Sequence, residues 1–285
     1  MPDTREFTDA HGVAITFDVW HAAHPRAVVQ LAHGVGEHAR RYDHVAEALV
    51  AAGYTVYADD HRGHGRTGAR QWDGDRTQQG RLGPGGLRAT IAALHQFTGI
   101  IRAENPGVPL VFLGHSLGSL MGQILVNEHI ADFAAVVFTG TAYRLPGSMN
   151  SGDLNAKHKH LGTTGLEWLS RDPAVAQAFL DDPLTTTTPL MKLFGVADAL
   201  RLVGRPARPM PADVPLLIMV GDDDPLGGAR SAHRLADSYR DRGGLTHVEV
   251  IVYPGARHEV FNETNRDDVL ADLTGWLDRT IPTAG

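Results

Sequence analysis

A chain of 285 residues, 42% apolar and 21% charged, has ample material for a buried core and suits one α/β domain carrying an insertion. Its formal charge of −7 argues against nucleic acid as a partner and against electrostatic docking on an anionic membrane, but not against an uncharged lipid. There is no cysteine, which excludes disulfides, thiolate chemistry and cysteine-ligated metal. The N-terminal residues lack the apolar stretch of a secretion signal, and no uncharged run reaches membrane-spanning length, so a soluble cytoplasmic protein with no transmembrane segment is expected.

In chain order, residues 13–20 alternate and predict an early antiparallel strand. Residues 27–32 predict a second strand, which runs into His33-Gly34-Val35-Gly36-Glu37-His38 before a helical pattern over 42–52. A strand over 54–58 meets Asp59-Asp60-His61-Arg62-Gly63-His64. Its histidines and carboxylates, with His33 and His38, imitate metal ligands. The reading preferred is a structural turn in which Asp60 pairs with Arg62 and His64 bonds to backbone, with no metal. Gly83-Pro84-Gly85-Gly86 lacks the lysine and hydroxyl of a phosphate loop, and is expected to start a helix over 87–103. Strands over 110–113 and 135–138 then flank a helix over 117–130.

From 142 to 212 the alternation stops, prolines accumulate at 146, 173, 183, 189, 206, 209 and 211, and short helical fragments replace strands. This segment is expected to be a cap. Leu190, Leu193, Phe194 and Ala197 recur there at helical spacing, with Met191, Leu200, Leu202 and Val203 broadening the stripe. Packing of the cap on the core is the preferred reading, with part of the face free to line an acyl tunnel or touch a lipid interface. Strands over 216–220 and 248–253 and helices over 231–242 and 265–279 complete the chain. Strands alternating with helices predict an α/β fold, a mostly parallel sheet covered on both faces, with a core of residues 1–141 and 213–285.

The chemistry gathers at strand ends. Gly114-His115-Ser116-Leu117-Gly118 stands between a predicted strand and a helix, the context of a nucleophile elbow, which makes Ser116 the candidate nucleophile. Such a serine needs an imidazole to take its proton and a carboxylate to orient that imidazole, following it in the order acid, then histidine. Gly221-Asp222-Asp223-Asp224-Pro225 ends the strand that precedes it, and Asp224, third past the glycine, is the preferred acid, with Asp222 the alternative. Most of the sixteen histidines read as solvated surface or loop residues. His258, on the loop after the last strand, is the candidate general base by position and order. The amides of Leu117 and Val35 are the expected oxyanion donors.

His33-Gly-Val-Gly-Glu-His38, Asp60-His-Arg-Gly-His-Gly65, Gly114-His-Ser-Leu-Gly118 and His258-Glu-Val-Phe-Asn-Glu263 together resemble the monoacylglycerol lipase and lysophospholipase group of α/β-hydrolases, the serine aminopeptidase S33-like hydrolases. Ser170-Arg-Asp-Pro173 and Asp182-Pro-Leu184 also resemble that group's cap. The resemblance implies the α/β-hydrolase fold and a serine hydrolase acting on a small-molecule lipid ester, a glycerol monoester of a fatty acid, with no cofactor. Ser119 and Leu117 stand where many members have glycine and methionine, and Thr185 to Thr188 is an unusual polar run in the cap. A short-chain carboxylesterase or lysophospholipase remains the alternative. A non-enzymatic binding protein on this fold is disfavoured because every triad member has a candidate.

Overall fold

The computed structural model describes residues 1–281. In chain order its first half contains β1 (Asp3–Thr8), β2 (Ala14–Trp20), β3 (Ala27–Ala32), α1 (Asp43–Ala51), β4 (Tyr54–Asp59), α2 (Gly65–Gln71), α3 (Gly86–Glu104), β5 (Leu110–His115), α4 (Leu117–His129) and β6 (Ala135–Thr139). Then follow α5 (Pro173–Asp181), α6 (Leu190–Arg201), β7 (Leu216–Gly221), α7 (Gly228–Asp237), β8 (Val248–Tyr253) and α8 (Arg266–Thr280). The eight strands form one sheet in the order β1-β2-β4-β3-β5-β6-β7-β8. The pairs β1/β2 and β2/β4 are antiparallel and every later pair is parallel.

The two-residue period of each strand builds two cores. In β7, Leu216, Ile218 and Val220 face one side, where α3, α4 and α7 supply Phe97, Met121, Leu125 and Leu235, and the turn after α7 supplies Tyr239. Leu217 and Met219 face the other, against Val45 and Leu49 of α1 and Leu273 and Trp276 of α8. Burying one such side chain stabilises by about 1.5–3 kcal/mol. The inner parallel strands are buried on both faces, which is why they read as near-continuous apolar runs.

Three elements depart from the sequence reading. Strand β1, Asp-Thr-Arg-Glu-Phe-Thr, carried no apolar signal because it lies at the sheet edge with alternate residues exposed. Its backbone ladder with β2, from Asp3↔Val19 to Thr8↔Ala14, makes it a strand. Helix α2 was hidden by two glycines in seven residues. The predicted helix at 231 starts at Gly228 and continues as a π-helical turn over Ser238–Arg242.

The chain leaves β3 toward β4 and returns to β5 on the other side of β3, so the strand order reverses between β3 and β5. A crevice opens outside the carboxyl ends of the strands at such a point.

Candidate active site

Two loops meet in that crevice. The loop after β3 begins at His33. Its Gly34 lies so close to the elbow that a Cβ there would stand 3.1 Å from Ser116 Cβ. Ser116 itself takes φ 50° and ψ −118°, a conformation that costs a residue with a side chain about 1–3 kcal/mol. The surroundings hold it: Ser116 N–H donates to Thr139 O at 3.0 Å, while Ser116 O accepts Leu120 N–H at 3.0 Å. Glycine is required beside it, because a Cβ at Gly118 would lie 2.1 Å from Ala32 O. Leu117, first residue of α4, has an amide with no acceptor inside the helix.

Ser116 Oγ donates to His258 Nε2 at 2.9 Å, and His258 Nδ1–H donates to Asp224 Oδ1 at 3.0 Å. All three residues stand just beyond carboxyl ends of strands, after β5, β7 and β8. Asp224 is buried, its Oδ1 also accepts Leu226 N–H at 2.9 Å, and its Oδ2 has no partner among the described residues. The other aspartates of the run have separate work. Asp222 accepts Gly255 N–H at 2.7 Å, and Asp223 binds Lys157 and His158. Burial alone lowers the pKa of His258, but the Asp224 carboxylate outweighs it, with help from Glu259 and Glu37, and the imidazole titrates above its ordinary range. His115, whose ring centroid is 4.9 Å away, is pushed down to about 3 by burial and by His258, so it stays neutral and does not compete as a base.

The arrangement can deprotonate a serine hydroxyl, deliver it to a carbonyl, and pass the proton on to a leaving group.

Sequence reading missed a buried charge network beside this line. Arg41 donates to both oxygens of Glu259 at 2.9 Å, and also pairs with Glu37. Glu37 accepts Gly34 N–H at 2.6 Å and Tyr42 O–H at 2.7 Å. Burial raises the Glu259 pKa but Arg41 reverses the effect, and the carboxyl is held down at about 2. The network thus ties the β3 loop to the residue next to His258. The spacing of Glu37 and Arg41 is that of helical neighbours and was a usable signal. Glu259 offered none, lying 218 residues from Arg41.

A second missed chain runs through Ser119. Its hydroxyl donates to Ser116 O at 2.7 Å and approaches Thr141 Oγ1 at 2.8 Å. Gln123 Nε2 donates to Thr141 Oγ1 at 3.0 Å, and Arg144 Nε donates to Gln123 Oε1 at 3.1 Å. Arg144 is buried, and its other contact is Leu202 O at 2.7 Å, so the elbow is linked to the end of the segment between β6 and β7.

That segment contains α5 and α6 and covers the site's rim. Arg257 donates to Glu167 O at 2.6 Å and Ser170 O at 2.8 Å, and Trp168 lies with its ring 4.7 Å from His258. His38 Nε2–H donates to Asp182 at 2.8 Å, and Thr186 N–H donates to Gly36 O at 2.8 Å. The threonine run therefore folds back onto the β3 loop. Leu193 is buried and Leu190 and Phe194 pack on the core, as the stripe predicted, but Gly195 at φ 71° breaks it. Met191, Val196, Leu200 and Val203 are left exposed.

The Asp59–His64 turn corrects one expectation. Arg62 reaches Asp9 and not Asp60, because Asp60 already accepts Ala39 N–H at 2.9 Å and Arg66 Nε–H at 2.7 Å. His64 does bond to backbone, at Arg62 O, 2.9 Å. His33 spends both ring nitrogens, on Gly34 O at 2.7 Å and His61 N–H at 3.0 Å.

Residues 23–265 match the family model described as serine aminopeptidase, S33. The chain is 35% identical to a monoacylglycerol lipase of Mycolicibacterium smegmatis, covering 96% of each protein. It is 27% identical to the monoglyceride lipase of Mus musculus, over 92% of this chain and 85% of that one. A thermostable carboxyl esterase from Bacillus coagulans, solved in complex with glycerol, superposes with a TM-score of 0.83 at 25% identity over 99% of both chains.

Proposed function

The chain belongs to the serine aminopeptidase S33 family of hydrolases, and from that premise we propose that it cleaves monoacylglycerols to glycerol and free fatty acid. It is a carboxylic ester hydrolase of the α/β-hydrolase fold. The observation that carries the reading is the unbroken hydrogen-bonded line from Ser116 through His258 to Asp224, in a chain whose relatives include monoacylglycerol lipases similar over nearly its whole length.

In this reading Ser116 Oγ attacks the ester carbonyl as His258 Nε2 takes its proton, with Asp224 holding the imidazole and stabilising its charge. The amides of Val35 and Leu117 receive the developing oxyanion. The C–O bond to glycerol breaks, His258 gives its proton to the departing alkoxide, and an acyl enzyme remains. Water, activated by the same imidazole, adds to the acyl carbonyl; the Ser116 bond breaks and the fatty acid leaves. Residues 142–212 act as a cap, and its exposed Met191, Val196, Leu200 and Val203 meet the lipid interface from which the substrate is drawn.

The test is the initial rate on an acyl-length series of monoacylglycerols beside matched diacylglycerols, lysophospholipids and nitrophenyl esters, for wild type and Ser116→Ala. Turnover on monoacylglycerols that falls by several orders of magnitude in the variant is expected. Activity confined to short nitrophenyl esters would keep the chemistry and overturn the substrate.

A further inference from the structure

On the face of the sheet that α3 and α4 share, α3 passes the carboxyl end of α4, and three potential ligand side chains come together. His129 is the last residue of α4, and Asp132 lies three residues further on, in the helical turn that follows. Residues three apart on a helical turn share a face. His95, in the middle of α3, faces both. Its Nε2 stands 3.0 Å from Asp132 Oδ2, and its ring lies flat against that of His129, with centroids 3.6 Å apart and planes 16° from parallel. One nitrogen from each imidazole and one carboxylate oxygen all lie within 4.8 Å of one another. Each of the three side chains is half-buried, reachable from solvent yet fixed on helical backbone.

Two imidazoles and one carboxylate are a donor set for the borderline divalent metals, zinc above all, and a poor one for magnesium or calcium, which favour oxygen. Two ligand atoms held at about 2.0–2.1 Å from a tetrahedral metal stand about 3.3 Å apart. The His95–Asp132 pair is already within a few tenths of an ångström of that spacing, and rotation of the His129 ring brings in the third donor. The carboxylate is also oriented from behind, because Arg102 binds its other oxygen, as outer partners commonly fix metal ligands. Glu128 Oε2, 3.8 Å from His129 Nε2, adds negative charge at the rim.

We propose that His95, His129 and Asp132 form a surface site for a zinc-class divalent metal ion that ties α3 to the end of α4. The site has no part in the ester chemistry. Helix α4 runs thirteen residues from the elbow to His129, about 20 Å at 1.5 Å per residue. Its effect is on stability, since a ligand bound only by the folded chain raises the unfolding midpoint by mass action.

The experiment is calorimetric titration of the chelator-treated full chain with zinc chloride, for wild type, His95→Gln and His129→Gln. Expected are one ion per chain and an affinity weakened by more than about 10-fold in either variant, the least that losing even an outer partner of a metal site commonly costs. The thermal midpoint of wild type should also rise by a few degrees with zinc and stay still with magnesium or calcium. Both variants should keep wild-type ester turnover, which shows that they are folded. Asp132→Asn tests the third ligand and serves in place of a histidine variant that fails to fold. No zinc uptake, or uptake unchanged when the ligands are replaced, overturns the site.

Discussion

His258 is where the local physics of this chain is most exposed to measurement. Burial opposes its protonation, Asp224 favours it, and the balance holds the imidazole charged to a higher pH than the ordinary value of 6.5. A general base works only when neutral, so kcat/KM falls as pH drops through that raised value, and the acid limb of the profile lies above pH 6.5. Asp224→Asn removes the largest charge acting to raise it. The limb then moves to lower pH, and turnover falls by about 10⁴-fold because the imidazole loses its tautomer. Asp222→Asn, whose carboxylate holds only the Gly255 amide, should leave both unchanged. A pH–rate series on the three proteins decides it; a limb that stays put in Asp224→Asn removes that residue from its proposed role.

At the scale of elements, glycines separate geometry from propensity. Gly118 opens α4 against β3, and a methyl group there meets the Ala32 carbonyl at 2.1 Å. Neither partner is a flexible side chain, so Gly118→Ala should abolish turnover or soluble expression. Gly99 lies exposed inside α3 with nothing within 4 Å of a Cβ, and Gly99→Ala should stabilise by about 0.5–1 kcal/mol, read from the denaturant midpoint. The elbow was legible in the sequence because both its glycines and its flanking strand and helix are contiguous. The places of Asp224 and His258 were legible because each stands just past an apolar run, β7 buried on both faces and β8 half-buried at the sheet edge. Strand β1 was not, since backbone pairing leaves no mark in side-chain pattern, and neither was the Arg62–Asp9 pair, in which residues 53 positions apart meet through the fold. Periodicity found the apolar face of α6 but not the Gly195 break within it.

Across the whole molecule, the Arg41 guanidinium joins parts that the chain keeps far apart: the β3 loop through Glu37, the His258 loop through Glu259, and α5 through the Phe179 ring, 4.7 Å below it. Arg41→Ala leaves two buried carboxylates uncompensated, and the expected cost is about 3–5 kcal/mol. Chemical denaturation checks the figure; a change under 1 kcal/mol would mean that water or rearrangement satisfies Glu37 and Glu259 instead. Glu37→Gln with Glu259→Gln, combined with Arg41→Met, should recover part of the loss, because unpaired charge and not missing volume is the main penalty.

The bond from Thr186 N–H to Gly36 O, with His38 bound to Asp182, makes the covering segment part of the wall against which the β3 loop is set. Residues 182–186 are thereby tied to the same loop that carries Val35. In the proposed mechanism, access and reactivity are therefore coupled, because the contacts that seat the covering segment also seat the loop whose Val35 amide is to receive the oxyanion.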